Sequence, residues 1–91
     1  MPTILLADDQ AMVRAGLRDM LELEPEIEIV GECRDGDEAL VACRELRPQL
    51  LIVDLGMRGK PLAELARALR AEQPALKMGS SGNRVGDFGL I

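Results

Sequence analysis

The chain has 91 residues, a formal net charge of −5, no histidine and a single aromatic residue, Phe88. Its 30% charged and 47% hydrophobic residues are ordinary for one small soluble domain with an aliphatic core. The acidic balance, without any long basic cluster, argues against direct nucleic-acid binding by this segment and against a polybasic membrane anchor. The apolar runs are too short to span a bilayer. The N-terminus shows no basic region followed by an apolar stretch, so no signal peptide is expected and a soluble cytoplasmic protein is the expectation.

Thr3-Ile4-Leu5-Leu6-Ala7 is apolar without alternation, the pattern of a strand buried on both faces, and it ends abruptly in Asp8-Asp9. The period then changes. Val13, Leu17, Met20 and Leu21 form one stripe of a helix running from about Gln10 to Leu23, with Arg14, Arg18, Asp19 and Glu22 off the stripe and Pro25 blocking extension. Glu26-Ile27-Glu28-Ile29-Val30 alternates charged and apolar residues, which suggests an edge strand with one partly wet face. Asp35, with Glu38 three residues on, resembles a capping box. The stripe Ala39, Leu40, Cys43, Leu46 then defines a second helix that stops near Pro48. Cys33 and Cys43 have no further Cys or His to make a zinc site, so both read as small buried hydrophobes in a reducing compartment, a disulfide being the less favoured alternative.

Leu50-Leu51-Ile52-Val53 is a second unbroken apolar run, again closed by an aspartate, Asp54. A loop from Leu55 to Lys60 leads to Pro61, well placed to open a third helix with the stripe Leu62, Leu65, Ala66, Leu69. The order β-α-β-α-β-α predicts a parallel sheet with right-handed crossovers and helices on both faces. From Lys77 to Ile91, four glycines and two serines in fifteen residues read as loop, with a short strand possible around Val85 to Ile91.

Two buried runs that end in aspartate carry the functional signal. If the first and third strands are neighbours, Asp8, Asp9 and Asp54 converge at the carboxyl edge, where open α/β sheets bind ligands. Carboxylates so crowded repel unless a cation joins them, and Mg2+ suits an all-oxygen site of this kind. A carboxylate can also attack phosphorus to form an aspartyl phosphate. The plainer reading is that an aspartate after a strand caps the next helix, as Asp9 could. Paired carboxylates also permit hydrolytic acid and base work, but no polar or aromatic substrate platform accompanies them.

The segments Ile4-Leu5-Leu6-Ala7-Asp8-Asp9-Gln10 with Val13-Arg14-Ala15-Gly16-Leu17, Val30-Gly31-Glu32 with Asp35-Gly36-Asp37-Glu38-Ala39-Leu40, and Arg47-Pro48-Gln49-Leu50-Leu51-Ile52-Val53-Asp54-Leu55-Gly56-Met57 closely resemble response-regulator receiver domains, most of all the NarL/FixJ type. The resemblance covers roughly residues 3 to 77. It implies a partial flavodoxin-like α/β domain at residues 1–77, about three βα units with strand order 2-1-3, followed by an atypical tail at 78–91. It further implies that Asp54 accepts a phosphoryl group from a histidine kinase. Asp8, Asp9, Asp54 and the backbone carbonyl of Gly56 are implied as Mg2+ ligands. No classical enzyme turnover is expected.

Several positions depart from the family pattern. Arg58 stands where the family has Pro, and Pro61-Leu62 replaces an Asp-Gly pair. Lys77-Met78-Gly79-Ser80-Ser81-Gly82 offers only a stub of a fourth strand, with Ser80 or Ser81 as the candidate switch hydroxyl. The family lysine that contacts the phosphoryl group has no counterpart, since Lys60 and Lys77 are the only lysines. Lys77 is expected at the far end of the sheet; Lys60 is the candidate phosphate contact, or a solvated surface charge. An alternative function follows: a phosphorylation-incompetent module that acts only in interaction or oligomerisation. Without a fourth strand the third would be an open edge, so a homodimer or higher association is expected.

Overall fold

The computed structural model describes residues 2–57, 59–81 and 88–90. Five strands form one sheet: β1 (Thr3–Ala7), β2 (Glu28–Cys33), β3 (Leu50–Asp54), β4 (Lys77–Ser81) and β5 (Phe88–Leu90). Three helices connect the first four: α1 (Ala11–Leu21), α2 (Gly36–Leu46) and α3 (Leu62–Glu72). The spatial order is β2-β1-β3-β4-β5, with the first four strands parallel and β5 antiparallel to β4. The flavodoxin-like α/β class and the 2-1-3 core are as the sequence predicts.

The two sheet faces are built from alternate residues of the same apolar runs. Leu5, Ala7, Leu51, Val53 and Met78 point to the face covered by α2 and α3, where Ala39, Cys43, Leu65 and Leu69 meet them. Ile4, Leu6 and Ile52 point to the other face and pack with Leu17 of α1. Strands covered on both faces need no polar alternation, which is why these runs read as continuous. Each fully buried leucine here contributes about 1.5–3 kcal/mol through burial, and Leu5, Leu6, Leu17, Leu51, Leu65 and Leu69 all qualify.

One expectation is corrected. β3 is not an open edge: β4 pairs with it over its whole length, from Leu50 opposite Lys77 to Asp54 opposite Ser81. The composition of Lys77–Ser81 argues for loop, but the segment is recruited as strand because β3 offers an unpaired ladder and Met78 is buried beside it. Tertiary pairing overrides weak local β-propensity. The association expected between copies therefore loses its premise at β3; the outer strands are β2 and β5. The possible short strand in the tail is β5, and its flanking residues Val85 and Ile91 lie outside the described residues, as does Arg58.

Helix ends follow local chemistry. The Asp35 carboxylate accepts the Glu38 N–H at 2.8 Å, while the Glu38 carboxylate accepts the Arg34 N–H at 2.9 Å, an N-terminal capping pair one residue wider than the usual box. α2 ends at Arg47, whose φ of 46° places it in the left-handed region. The start of α2 also seats the β3–α3 loop. A Cβ at Gly36 would lie 2.5 Å from the Lys60 carbonyl oxygen, so the absence of a side chain there lets the two backbones touch. Gly59, beside Lys60, takes φ +90°, a conformation glycine adopts freely. The two helices on this face are clasped by an exposed bidentate pair, Arg44 to Glu72 at 2.8 and 2.7 Å. The Gln73 side-chain amide donates to the Cys43 carbonyl at 2.8 Å and adds a second tie.

Both cysteines are free and buried. Burial pushes the Cys33 thiol up to about 12 and the Cys43 thiol up to about 11, which removes the reactive thiolate at neutral pH. Iodoacetamide at neutral pH is therefore expected to leave both unmodified in the native protein and to label both in denaturant, read by intact mass. Substituting Gly36→Ala is expected to lower stability by about 1–3 kcal/mol, because backbone rather than a flexible side chain must give way; an unshifted urea midpoint would contradict this.

Candidate functional site

β1 and β3 lie side by side in parallel, with Ala7 opposite Val53. The residues that follow therefore emerge together at the carboxyl edge. One carboxylate oxygen from each of Asp8, Asp9 and Asp54 lies within 4.8 Å of the others. The strand order reverses direction between β1 and β3, since the chain moves outward to β2 and then back across to β3, so this edge is the topological switch point.

Asp8 is the most constrained member. It is 2% exposed. Its N–H donates to the Cys33 carbonyl at 3.0 Å and so extends the β1–β2 ladder by one residue. Its carboxylate accepts the Gln10 N–H at 2.8 Å, and its carbonyl accepts Nη1 of Arg14 at 2.6 Å. The pKa of Asp8 is raised, chiefly by burial and further by the charges of Asp54 and Asp9; the Gln10 N–H and Arg14 oppose that rise. Asp9 and Asp54 are half-buried. Asp9 does not cap α1: Gln10 is the N-cap residue, and it makes no side-chain cap bond. The capping reading of Asp9 is thereby set aside.

Asp54 closes β3 and starts a tight turn. The Gly56 N–H donates to its Oδ1 at 3.3 Å, and the Met57 N–H donates to its carbonyl at 3.2 Å. The loop thus holds the Asp54 carboxylate by its own backbone. Gly56 itself is exposed. On β4, Ser81 stands opposite Asp54 and Ser80 opposite Val53. Lys77 stands opposite Leu50, at the other end of the ladder from Asp54. Lys60 is half-buried in the β3–α3 loop, its backbone seated on Gly36.

Three carboxylates with oxygens this close, one of them buried, form a hard, all-oxygen donor set of the kind that small divalent cations take. The donors fit Mg2+: a cation there would offset both the burial of the Asp8 charge, the main cause of its raised pKa, and the smaller repulsion from Asp54 and Asp9. Sequence reasoning placed all three aspartates but missed Arg14, which it read only as a polar residue off the α1 stripe. The available signal was its position on the first turn of the helix that starts directly after Asp8-Asp9.

Fold and site together define an open α/β domain with an acidic oxygen site at its switch point. Comparison with known proteins makes that class specific. The family model for the response regulator receiver domain matches residues 4–79. The transcriptional regulatory protein LiaR of Bacillus subtilis is 41% identical over 69 residues, which cover 76% of this chain and 33% of LiaR. The response regulator protein VraR of Staphylococcus aureus is 35% identical over 75 residues, covering 82% of this chain and 36% of VraR. The receiver domain of the stress response regulator RcsB from Escherichia coli superimposes with a TM-score of 0.83 at 25% identity, over 93% of this chain and 67% of that one. A LuxR-family two-component response regulator from Aurantimonas sp. SI85-9A1 gives 0.77 at 33% identity, over 84% and 54%. The chain belongs to the response-regulator receiver family, and within it to the NarL/FixJ type. It spans about a third of the length of these curated relatives. No helix among the described residues is long and apolar enough to cross a membrane.

The buried Asp8 carboxylate gives stability a defined pH dependence. Because the folded Asp8 pKa is raised, ionising Asp8 opposes folding, and the opposition is present above its folded pKa and absent below the ordinary carboxylate range. Asp8→Asn keeps an oxygen for the Gln10 N–H but removes the charge. It is expected to stabilise the protein at neutral pH by about 1 kcal/mol, because the amide removes a buried charge first and the repulsion of Asp54 and Asp9 second. The gain should disappear as pH falls below the normal aspartate range, as followed by urea unfolding at several pH values.

Proposed function

We propose that this receiver takes a phosphoryl group on Asp54 from a histidine kinase, with Mg2+ held by Asp8, Asp9, Asp54 and the backbone carbonyl of Gly56. The observation that supports this reading most is the convergence of the three carboxylates within 4.8 Å at the switch point. Receiver domains generally bind Mg2+ at an acidic pocket, and the cluster present here matches that chemistry. When bound, Mg2+ neutralises charge on the transferring phosphoryl oxygens.

The chain's own residues then have separable tasks. An oxygen of Asp54 attacks phosphorus, the P–N bond of the phosphohistidine breaks, and the imidazole nitrogen leaves with the bonding pair. The Gly56 N–H donates to Oδ1 of Asp54 and leaves Oδ2 as the candidate attacking oxygen. Asp8, tied down on three sides, sets one rigid wall of the pocket. Ser81, level with Asp54 on the neighbouring strand, is the better placed of the two candidate switch serines by register. Lys60 lies in the loop at the site's end of the sheet and is the candidate phosphate contact; Lys77, at the opposite end, is not.

The second reading, a module that interacts without accepting phosphate, draws on one observation: the only two lysines of the chain are Lys77, far along the ladder from Asp54, and Lys60, whose backbone is committed to packing on Gly36.

Incubation with Mg2+ and a small-molecule phosphodonor decides between them. Intact mass is expected to show one phosphoryl adduct on the parent chain and none on Asp54→Asn. An unmodified parent chain, with no change in thermal midpoint on adding Mg2+, would favour the interaction module.

A further inference from the structure

The geometry points to Arg14 as a positioning residue for the acidic site, holding the end of β1, and with it Asp8 and Asp9, in the place where a divalent cation is bound. This inference rests on the reading of that site as Mg2+-dependent.

Arg14 uses two arms of one planar guanidinium. Nη1 donates to the Asp8 carbonyl at 2.6 Å, and Nε donates to Oε1 of Glu32 on β2 at 3.0 Å. Such a fork presents donors in fixed directions, which suits a residue that must meet two partners at once. The other Glu32 oxygen is held by Nη1 of Arg18, one turn further along α1. The side chain of Arg14 is only 16% exposed, against 37% for Arg18. Three elements are thus locked at one point: the start of α1, the carboxyl end of β1 and the edge strand β2.

The Asp8 carbonyl contact distinguishes Arg14 from an ordinary surface charge pair. Of the three bonds that fix Asp8, two are made with backbone groups, the Gln10 N–H that donates to its carboxylate and the Cys33 carbonyl that accepts its N–H, and only the Arg14 bond comes from a side chain of the following helix. A site carboxylate has to stay within about 0.5 Å of its productive place, and the carbonyl of Asp8 is also the link to Asp9. Removing Arg14 frees that peptide. Contacts that orient metal ligands from behind commonly change affinity by about tenfold or more when lost.

Charge and position predict opposite signs here. Arg14 is a cation near a cation site, so electrostatics alone makes Mg2+ bind more tightly when the charge is removed. Positioning makes it bind more weakly. Mg2+ affinity is measured by isothermal titration calorimetry on metal-free protein, beside the thermal midpoint of each variant. Arg14→Met is expected to bind about tenfold more weakly than the parent. Arg18→Met loses the same charge, the same helix position one turn on and the same Glu32 partner, and is expected to bind no more weakly than the parent. Arg14→Lys keeps charge and stem but presents one compact ammonium for two partners, and is expected to fall between. Unchanged or tighter binding in Arg14→Met overturns the inference, and so does equal weakening in Arg18→Met. Should Arg14→Met fail to fold, Arg14→Lys decides: parent-like affinity overturns the inference. A parent chain that binds no Mg2+ overturns the proposed function itself, and the inference with it.

Discussion

The parallel pairing of β1 with β3 is the constraint on which everything else in this molecule rests. Four consecutive residue pairs, Ile4 with Leu50 through Ala7 with Val53, fix the register. That register brings two chain-distant aspartate segments to a single edge. A one-residue slip of β3 against β1 would exchange the faces of β3, sending Leu51 and Val53 toward α1 and Ile52 toward α2 and α3. It would also separate the carboxylates. The apolar packing on both faces thus does more than stabilise the domain: it sets the positions of three charges.

Those charges sit there against their own repulsion. Asp8 is buried, and both its burial and its neighbours disfavour its ionised form. A domain tolerates such a group when surrounding structure over-determines it. Here the determination is visible as bonds to Cys33, Gln10 and Arg14 from three directions. In the proposed reading, a bound cation would offset the repulsion among the three carboxylates.

The rest of the carboxyl edge is arranged around the same point. The β3–α3 loop folds back onto Gly36 at the start of α2, so the turn that holds Asp54 is braced by a helix from another part of the chain. β4 covers the flank of β3 and carries Ser81 to the level of Asp54. α1 alone among the described helices covers its face, through Leu17 with Val13, Met20 and Leu21 beside it. Its polar flank supplies the Arg14 and Arg18 pair that grips β2.

Much of this was legible in the sequence because it rests on local signals. The unbroken apolar runs at 3–7 and 50–53 announce strands buried on both faces, and the aspartates that end them mark the site. The stripes of α1 and α3, that of α2 except for Leu46, which is exposed, and the Asp35–Glu38 cap are written in periods and spacings that need no partner to be read. What only the tertiary structure decided is what depends on a neighbour. Lys77–Ser81 has the composition of a loop and becomes a strand because β3 presents an unpaired ladder. Gly36 stands out in the sequence only as part of the family-like segment after Asp35, and its reason is a backbone from another segment at 2.5 Å from its missing side chain. Arg14 looks like solvent-facing charge, and its reason is a carbonyl six residues earlier together with a glutamate eighteen residues later. Periodicity reports which face a residue takes; only the fold reports what it meets there.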